Sequence, residues 1–317
     1  MKRFIHKISV HSRGIALGAA LCAVAGLSAC GPKPVQDKIL IAGSYWDTIA
    51  VVNRSAGNTI EWKYGLPKGA ECNSVEIIPG TGDVLLSYKN GARVVKRDSV
   101  NGGGTIVWDY TDVAPGEELQ TATRLPDGGY LLGICGTPAR FVELDSTGLN
   151  VRREVRYDLG IGDAHSQFRR MVKARNGNYL VPIITNGKLL EIKDDTTLVA
   201  ELNLGGNPFS VQELPNGNLL VGLGDAHCAL EVDRSIGGLV RRIDAPAGVI
   251  FNFVGQAQLM PGGKVMVANW QGHAPADKRD TPQLVEVDLG KGTPLVWSYD
   301  GRKDGVRLVS AFFPFKE

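Results

Sequence analysis

Apolar and polar positions along this chain follow one short phrase, used again and again. An apolar run meets a turn of Gly, Asn or Asp, and a second apolar run follows: IIPGTGDVLLS, RLPDGGYLLGI, KARNGNYLVPI, ELPNGNLLVGL and LMPGGKVMVAN. Aligned on Pro79, Pro126, Arg175, Pro215 and Pro261, these turns recur every 40 to 49 residues. Gly or Asn at the turn supplies the positive φ of a two-residue hairpin. After a variable loop each unit continues with a third strand, such as FVELD, ALEVD or LVEVD. A fourth follows, such as TIEWKYG, TIVWDYT, LVRRIDA or PLVWSYD. Helical periodicity is weak throughout. Four short antiparallel strands at this period predict an all-β fold, a β-propeller.

The chain ends set the number of blades. KILIAGSYWDTIAVVNRSAGNTIEWKYG, from residue 38, holds a second, third and fourth strand but no first. VRLVSAFFPF, at the end, is a first strand without successors. Joined, they complete one blade. With the five internal units this predicts six four-stranded blades, the ring closed by the C-terminal strand pairing with the N-terminal blade. Closure also removes a free sheet edge.

The first thirty residues lie outside this pattern. Lys2, Arg3, Lys7 and Arg13 precede the apolar GIALGAALCAVAG and then LSAC. A basic start, a short apolar stretch and small residues are the parts of a secretory leader. LSAC resembles a bacterial lipobox, which implies acylation of Cys30. The expected organisation is a signal peptide over 1–29, a polar tether over 30–37 and the propeller over 38–317. An exported, membrane-anchored lipoprotein follows. Gly31 lacks the Asp that resembles an inner-membrane retention signal, so the expectation is the outer membrane or periplasm.

Removing the leader changes the charge. The chain has 35 Lys and Arg against 33 Asp and Glu. Without the four basic leader residues 31 face 33, a net −2. That balance gives no footprint for nucleic acid. Beyond the leader and Cys30, three cysteines remain: Cys72, Cys135 and Cys228. An odd number leaves at least one thiol outside any intramolecular bridge, and their spacing fits no metal site.

The LPNGNLL turn and the outer-strand tryptophans of TIEW, TIVW and PLVW (Trp62, Trp108, Trp297) resemble two propeller groups. These are the quinoprotein dehydrogenase-like and the arylsulfotransferase-like propellers, the latter six-bladed and exported. The resemblance to the second implies a His that carries a sulfuryl group, for which His165 with Arg169, Arg170 and Arg307 is the candidate. ECNSV resembles that family's HxNSV, with Cys72 where the family has His. The tryptophans themselves are expected to pack between blades.

Propeller topology localises the candidate site. The loop entering each innermost strand and the loop between the second and third strands share one face, over the central channel. The loops entering the inner strands carry Glu71 and Asn73, Gln120, His165 and Arg169, Asn207, Asn252 and Gln256, and Arg307. The second-to-third loops add His227, Trp270 and His273. All twelve are ligand-binding candidates. The stretch NWQGHAPADKRDTPQ, from Asn269 to Gln283, is long for such a loop, as functional loops often are. It is expected to form a lip, with Trp270 as a stacking surface and His273 as a donor or base.

No cofactor is predicted, apart from a divalent metal that Glu71, Asn207 and Asn252 would hold if they converge. The polar and aromatic rim favours a recognition module over an enzyme. Its expected partners are the membrane, through lipid on Cys30, and a small molecule, a glycan or an envelope protein. The alternative is an enzyme of arylsulfotransferase or lactonase type built on His165.

Overall fold

The computed structural model describes residues 37–275 and 279–316. The expected leader, the expected acylation site Cys30 and nearly all of the tether lie outside the described residues. The first strand begins at Lys38.

Six four-stranded antiparallel sheets form the six blades. The closure is as the sequence predicts. Val309–Phe315 pairs along Lys38–Gly43, which continues into Thr48–Asn53 and Thr59–Gly65. Counting this composite sheet as blade 1, the innermost strands of blades 2 to 6 are Val75–Ile77, Glu118–Arg124, Val172–Lys173, Ser210–Glu213 and Val254–Met260. Among the described residues, helix is confined to 3-10 turns of three or four residues.

The second and third strands are the hydrophobic centre of each blade. YLLGIC and ARFVEL in blade 3, for example, are buried at every position. Both faces of such a strand press on neighbouring blades, so its side chains are apolar without alternation. The outer strand faces solvent and reads mostly exposed, as in LVRRI.

Two polar seams hold the blades in a ring. The inner strands lack a lateral strand partner, so side chains and single backbone bonds join them. Ser310 Oγ donates to Asn73 Oδ1 at 2.6 Å, Ser74 Oγ to the Ala122 carbonyl at 2.8 Å and Thr121 Oγ1 to the Arg169 carbonyl at 2.5 Å. The Arg170 N–H donates to the Phe209 carbonyl at 3.0 Å, Ser210 Oγ accepts from Ala257 N–H at 3.3 Å and Gln256 Oε1 from Phe312 N–H at 2.8 Å. All six junctions are covered, and these buried polar groups are thereby satisfied.

The outer seam uses one recurring position. In every blade the pairing of third and outer strands shifts register at the same point. Just before the shift the outer strand carries Trp62, Trp108, Arg153, Ala200, Arg241 or Trp297. Five of the six reach the next blade's turn. Trp62 Nε1 donates to the Gly103 carbonyl at 2.5 Å and Trp108 Nε1 to that of Gly148 at 3.1 Å. Arg153 pairs with Asp194, Arg241 donates to the Leu289 carbonyl at 3.2 Å and Trp297 Nε1 to Asn58 Oδ1 at 3.0 Å. The tryptophans thus pack between blades, as expected.

Candidate functional site

The residues gathered at one end of the channel line a cavity of about 200 Å³. Residues at or just ahead of the inner strands of every blade but blade 3 line it, and second-to-third loops close the sides. Seven of the twelve candidates line this cavity: Glu71, Asn73, His165, Arg169, Asn207, Trp270 and His273.

One side is a charged network. His165 is positioned by a short 3-10 turn whose N-cap, Asp163, accepts from the His165 N–H. Its Nδ1 lies 2.9 Å from Glu118 Oε2 and 3.7 Å from Glu71 Oε2. Its Nε2 lies 3.1 Å from Arg169 Nη2. Arg169 also donates to Glu71 at 3.1 Å and to the carbonyls of His165 and Phe168. Lys89 Nζ meets Glu118 Oε1 at 2.7 Å. Burial raises the Glu118 pKa, but bonds from His165 and Lys89 outweigh it and hold the carboxyl at about 2. The bond to Glu118 shifts the Lys89 pKa upward.

The side formed by blades 5 and 6 is aromatic, and it meets the network where Arg169 lies over the Phe209 ring, 5.7 Å from its centroid. Phe253 packs edge-on against Phe209 at 5.1 Å and Trp270 at 5.3 Å, and the His273 ring stands 4.7 Å from that of Trp270. Trp270 is buried, and its Nε1 donates to Ser44 Oγ at 2.8 Å. It is therefore a fixed wall of the cavity and not the free stacking surface of a lip. His273, more exposed, pairs with Asp225 at 3.2 Å. The base of the long loop is pinned by Asn269, whose Nδ2 donates to the carbonyls of Ile250 and Pro282 at 2.9 Å.

The other five candidates lie elsewhere. Gln120 is fully buried beneath the mouth. It accepts from Asn73 at 3.0 Å and donates to Glu118 at 2.9 Å, so it supports the network without facing the cavity. Gln256 is spent on the inner seam. His227 and Asn252 line an outer groove of about 640 Å³ between blades 5 and 6, where His227 Nδ1 bonds the Asn252 carbonyl at 2.8 Å. Arg307 is exposed and lines neither space. The aromatic wall residues Phe209 and Phe253 were missed. Their signal was an aromatic placed just after Asn in two equivalent loops, NPF and NF.

The proposed metal trio does not assemble, because Asn252 turns to the groove while Glu71 and Asn207 face the mouth. Glu71, Glu118 and His165 do converge, with donor atoms within 4.8 Å of one another. That trio does not fit a metal either. Arg169 can only donate, so His165 Nε2 must accept, which leaves the ring proton on Nδ1, pointing at the carboxylates. A metal on Nδ1 would have to displace that proton, and Arg169 opposes both its return at Nε2 and the cation itself.

Cys72, Cys135 and Cys228 are all free and buried. Burial pushes the thiols of Cys72 and Cys135 up to about 12 and that of Cys228 in the same direction. They are inert at neutral pH.

A sequence profile of the Mal s 1 allergenic protein-like family matches residues 41–290, and the chain belongs to that family. No curated protein matches it by sequence. Among solved structures it is similar to a protein of unknown function from Bacteroides caccae. The two are 37% identical with a TM-score of 0.80, and the match covers 88% of this chain and 99% of that one. A luciferin-regenerating enzyme shares the fold at 10% identity and a TM-score of 0.60, over 86% of this chain and 92% of that one. Virginiamycin B lyase from Staphylococcus aureus, in a catalytically inactive form with quinupristin, does so at 14% and 0.55, over 82% and 84%.

Proposed function

We propose that this member of the Mal s 1 allergenic protein-like family is a recognition module that binds a small, uncharged ligand at the channel mouth. The ligand carries hydroxyl or amide groups along one edge and an apolar face, as a sugar ring does. The carrying observation is the two-sided cavity: a wall of Phe209, Phe253 and Trp270 meeting a network already bonded in place. Glu71 is paired with Arg169, Glu118 with Lys89 and Asp225 with His273, so no charge is left for an ionic guest, which favours a neutral one. Such a combination of apolar lining and a few placed polar groups is typical of ligand sites.

A catalytic reading has one specific observation in its favour, the Glu118–His165 pair, which has the form of a carboxylate orienting a base. Two of the structural neighbours are enzymes by name. Arg169 weakens that reading, because it occupies the Nε2 lone pair that a base, or a sulfuryl-carrying His, would use.

The test is a panel of monosaccharides and small hydroxylated aromatics screened for a rise in melting temperature. The rise should vanish in both His165→Ala and Asn207→Ala. Because the His165 side chain is half exposed, its removal should change intrinsic stability by less than about 1 kcal/mol. A panel without hits, or a shift that survives both variants, would reject the reading. Turnover of an aryl sulfate or a lactone that His165→Ala abolishes would establish the catalytic one.

The leader and LSAC motif support an envelope anchor through acylated Cys30. Several acyl chains are required for stable anchoring. In a bacterial host, Cys30→Ser should lose radiolabelled palmitate and move from the membrane to the soluble fraction. Labelling that persists would overturn the lipoprotein assignment.

A further inference from the structure

Among the described residues, Arg170 is a charge without a partner. It lies just ahead of the inner strand of blade 4, next to Arg169, in an isolated bridge with Ser210. Its backbone is clamped from both sides. The N–H donates to the Phe209 carbonyl in blade 5 at 3.0 Å. Thr121 Oγ1 in blade 3 bonds both flanking residues, donating to the Arg169 carbonyl and accepting from Met171 N–H at 3.1 Å. Arg169 lines the mouth and Met171 is buried in the blade packing. The groups that act on Arg170, Glu76 and Cys72, belong to blade 2, which is not adjacent to blade 4, so its side chain is directed at the channel.

The guanidinium makes no ion pair or hydrogen bond with the described residues, and its Nη1 is fully enclosed. Part of the side chain keeps accessible surface, yet burial pulls its pKa down to about 10. The ionisable groups that act on it are Glu76 and Cys72. The Glu76 carboxylate stands beyond ion-pair distance, and its Oε2 already accepts from Thr123 Oγ1 at 2.7 Å and Arg124 N–H at 3.0 Å. The Cys72 thiol, held at about 12, is protonated and carries no charge. Buried charges are otherwise paired.

We propose that the channel holds a small monovalent oxyanion on Arg170, of the formate, acetate or nitrate type. The guanidinium fork matches a planar oxyanion through two parallel bonds. One charge suffices to balance Arg170, and the field of Glu76 opposes a second. The proposal is independent of the mouth ligand, and either can fail alone.

The test is the melting temperature of the mature chain at neutral pH and constant ionic strength, with gluconate exchanged for formate, nitrate, chloride or sulfate. Formate and nitrate should give a saturable rise, chloride a smaller one and sulfate none. Arg170→Met should abolish the response. Glu76→Gln should bring saturation at roughly threefold to tenfold lower concentration, since it removes the opposing charge. A wild type indifferent to the anion, or a response retained by Arg170→Met, would overturn the proposal. If Arg170→Met fails to fold, Arg170→Lys keeps the charge but not the fork. Loss of the preference for formate and nitrate over chloride then supports the site, and its persistence overturns it. In crystals grown with bromide, an anomalous peak within hydrogen-bond distance of Arg170 is expected; ordered water alone refutes the site.

Discussion

At the mouth, charges are balanced by contact with one another more than by solvent. Glu118 shows what this implies for stability. Its carboxylate takes bonds from His165, Lys89 and Gln120, and its pKa is depressed to about 2 from an ordinary 4.5. A group depressed in the folded state contributes stability that is complete above its unfolded pKa and is lost as pH falls through the folded one. Glu118→Gln should therefore cost about 1–3 kcal/mol at neutral pH, by leaving charged donors poorly matched. The gap between wild type and variant, measured by urea denaturation, should stay constant above about pH 4.5 and close toward pH 2. A gap that does not change with pH would mean that Glu118 acts only through packing.

Among the elements, the outer strands explain why tryptophan recurs. Trp108 stacks on Tyr130 at 4.8 Å and spans to the Gly148 carbonyl in the next blade. Gly148 has φ +74°, and a Cβ there would stand 2.4 Å from Trp108 Nε1. Gly148→Ala should thus lower stability by about 1–3 kcal/mol, from left-handed backbone strain and displacement of the indole. Trp108→Ala should cost a similar amount, and the double variant less than the sum of the two, because both act on one contact. Strictly additive losses, read by thermal denaturation, would separate the two residues. The turns that make LPNGNLL so recognisable are scaffold on the face opposite the mouth. The tryptophans could be assigned to packing from sequence because they recur in one strand of the unit. Arg153 and Arg241 fill the same position unrecognised, since only the register shift in the pairing makes them equivalent to Trp.

For the whole molecule, closure of the ring is the contact that joins the two ends of the chain. Val309–Phe315 supplies the inner strand of blade 1, and Phe312 and Ala311 are fully buried there. Deleting residues 309–317 leaves blade 1 without its channel-side strand and removes the partners of Asn73 and Gln256. The truncated chain should lose its cooperative melting transition and enter inclusion bodies. A truncated protein that remains monomeric and melts near the wild type would show that closure contributes little.

What the sequence determined by itself was everything that repeats. Apolar runs, turn residues and the unmatched strands at the two ends specify strand order, blade number and closure. These features depend on local backbone chemistry and on a count of strands. Topology also determined which loops share a face, and seven candidate residues do meet there. Tertiary structure alone decided where the side chains point. Asn252 and His227 share that face yet turn outward into a groove, and Gln120 and Gln256 turn inward to hold the blades. Arg307 remains in solvent, while Phe209 and Phe253 build the wall. The unpaired Arg170 belongs to the same class. Its neighbours Glu76 and Cys72 lie nearly a hundred residues earlier in the chain, and only the packed ring brings them to one channel.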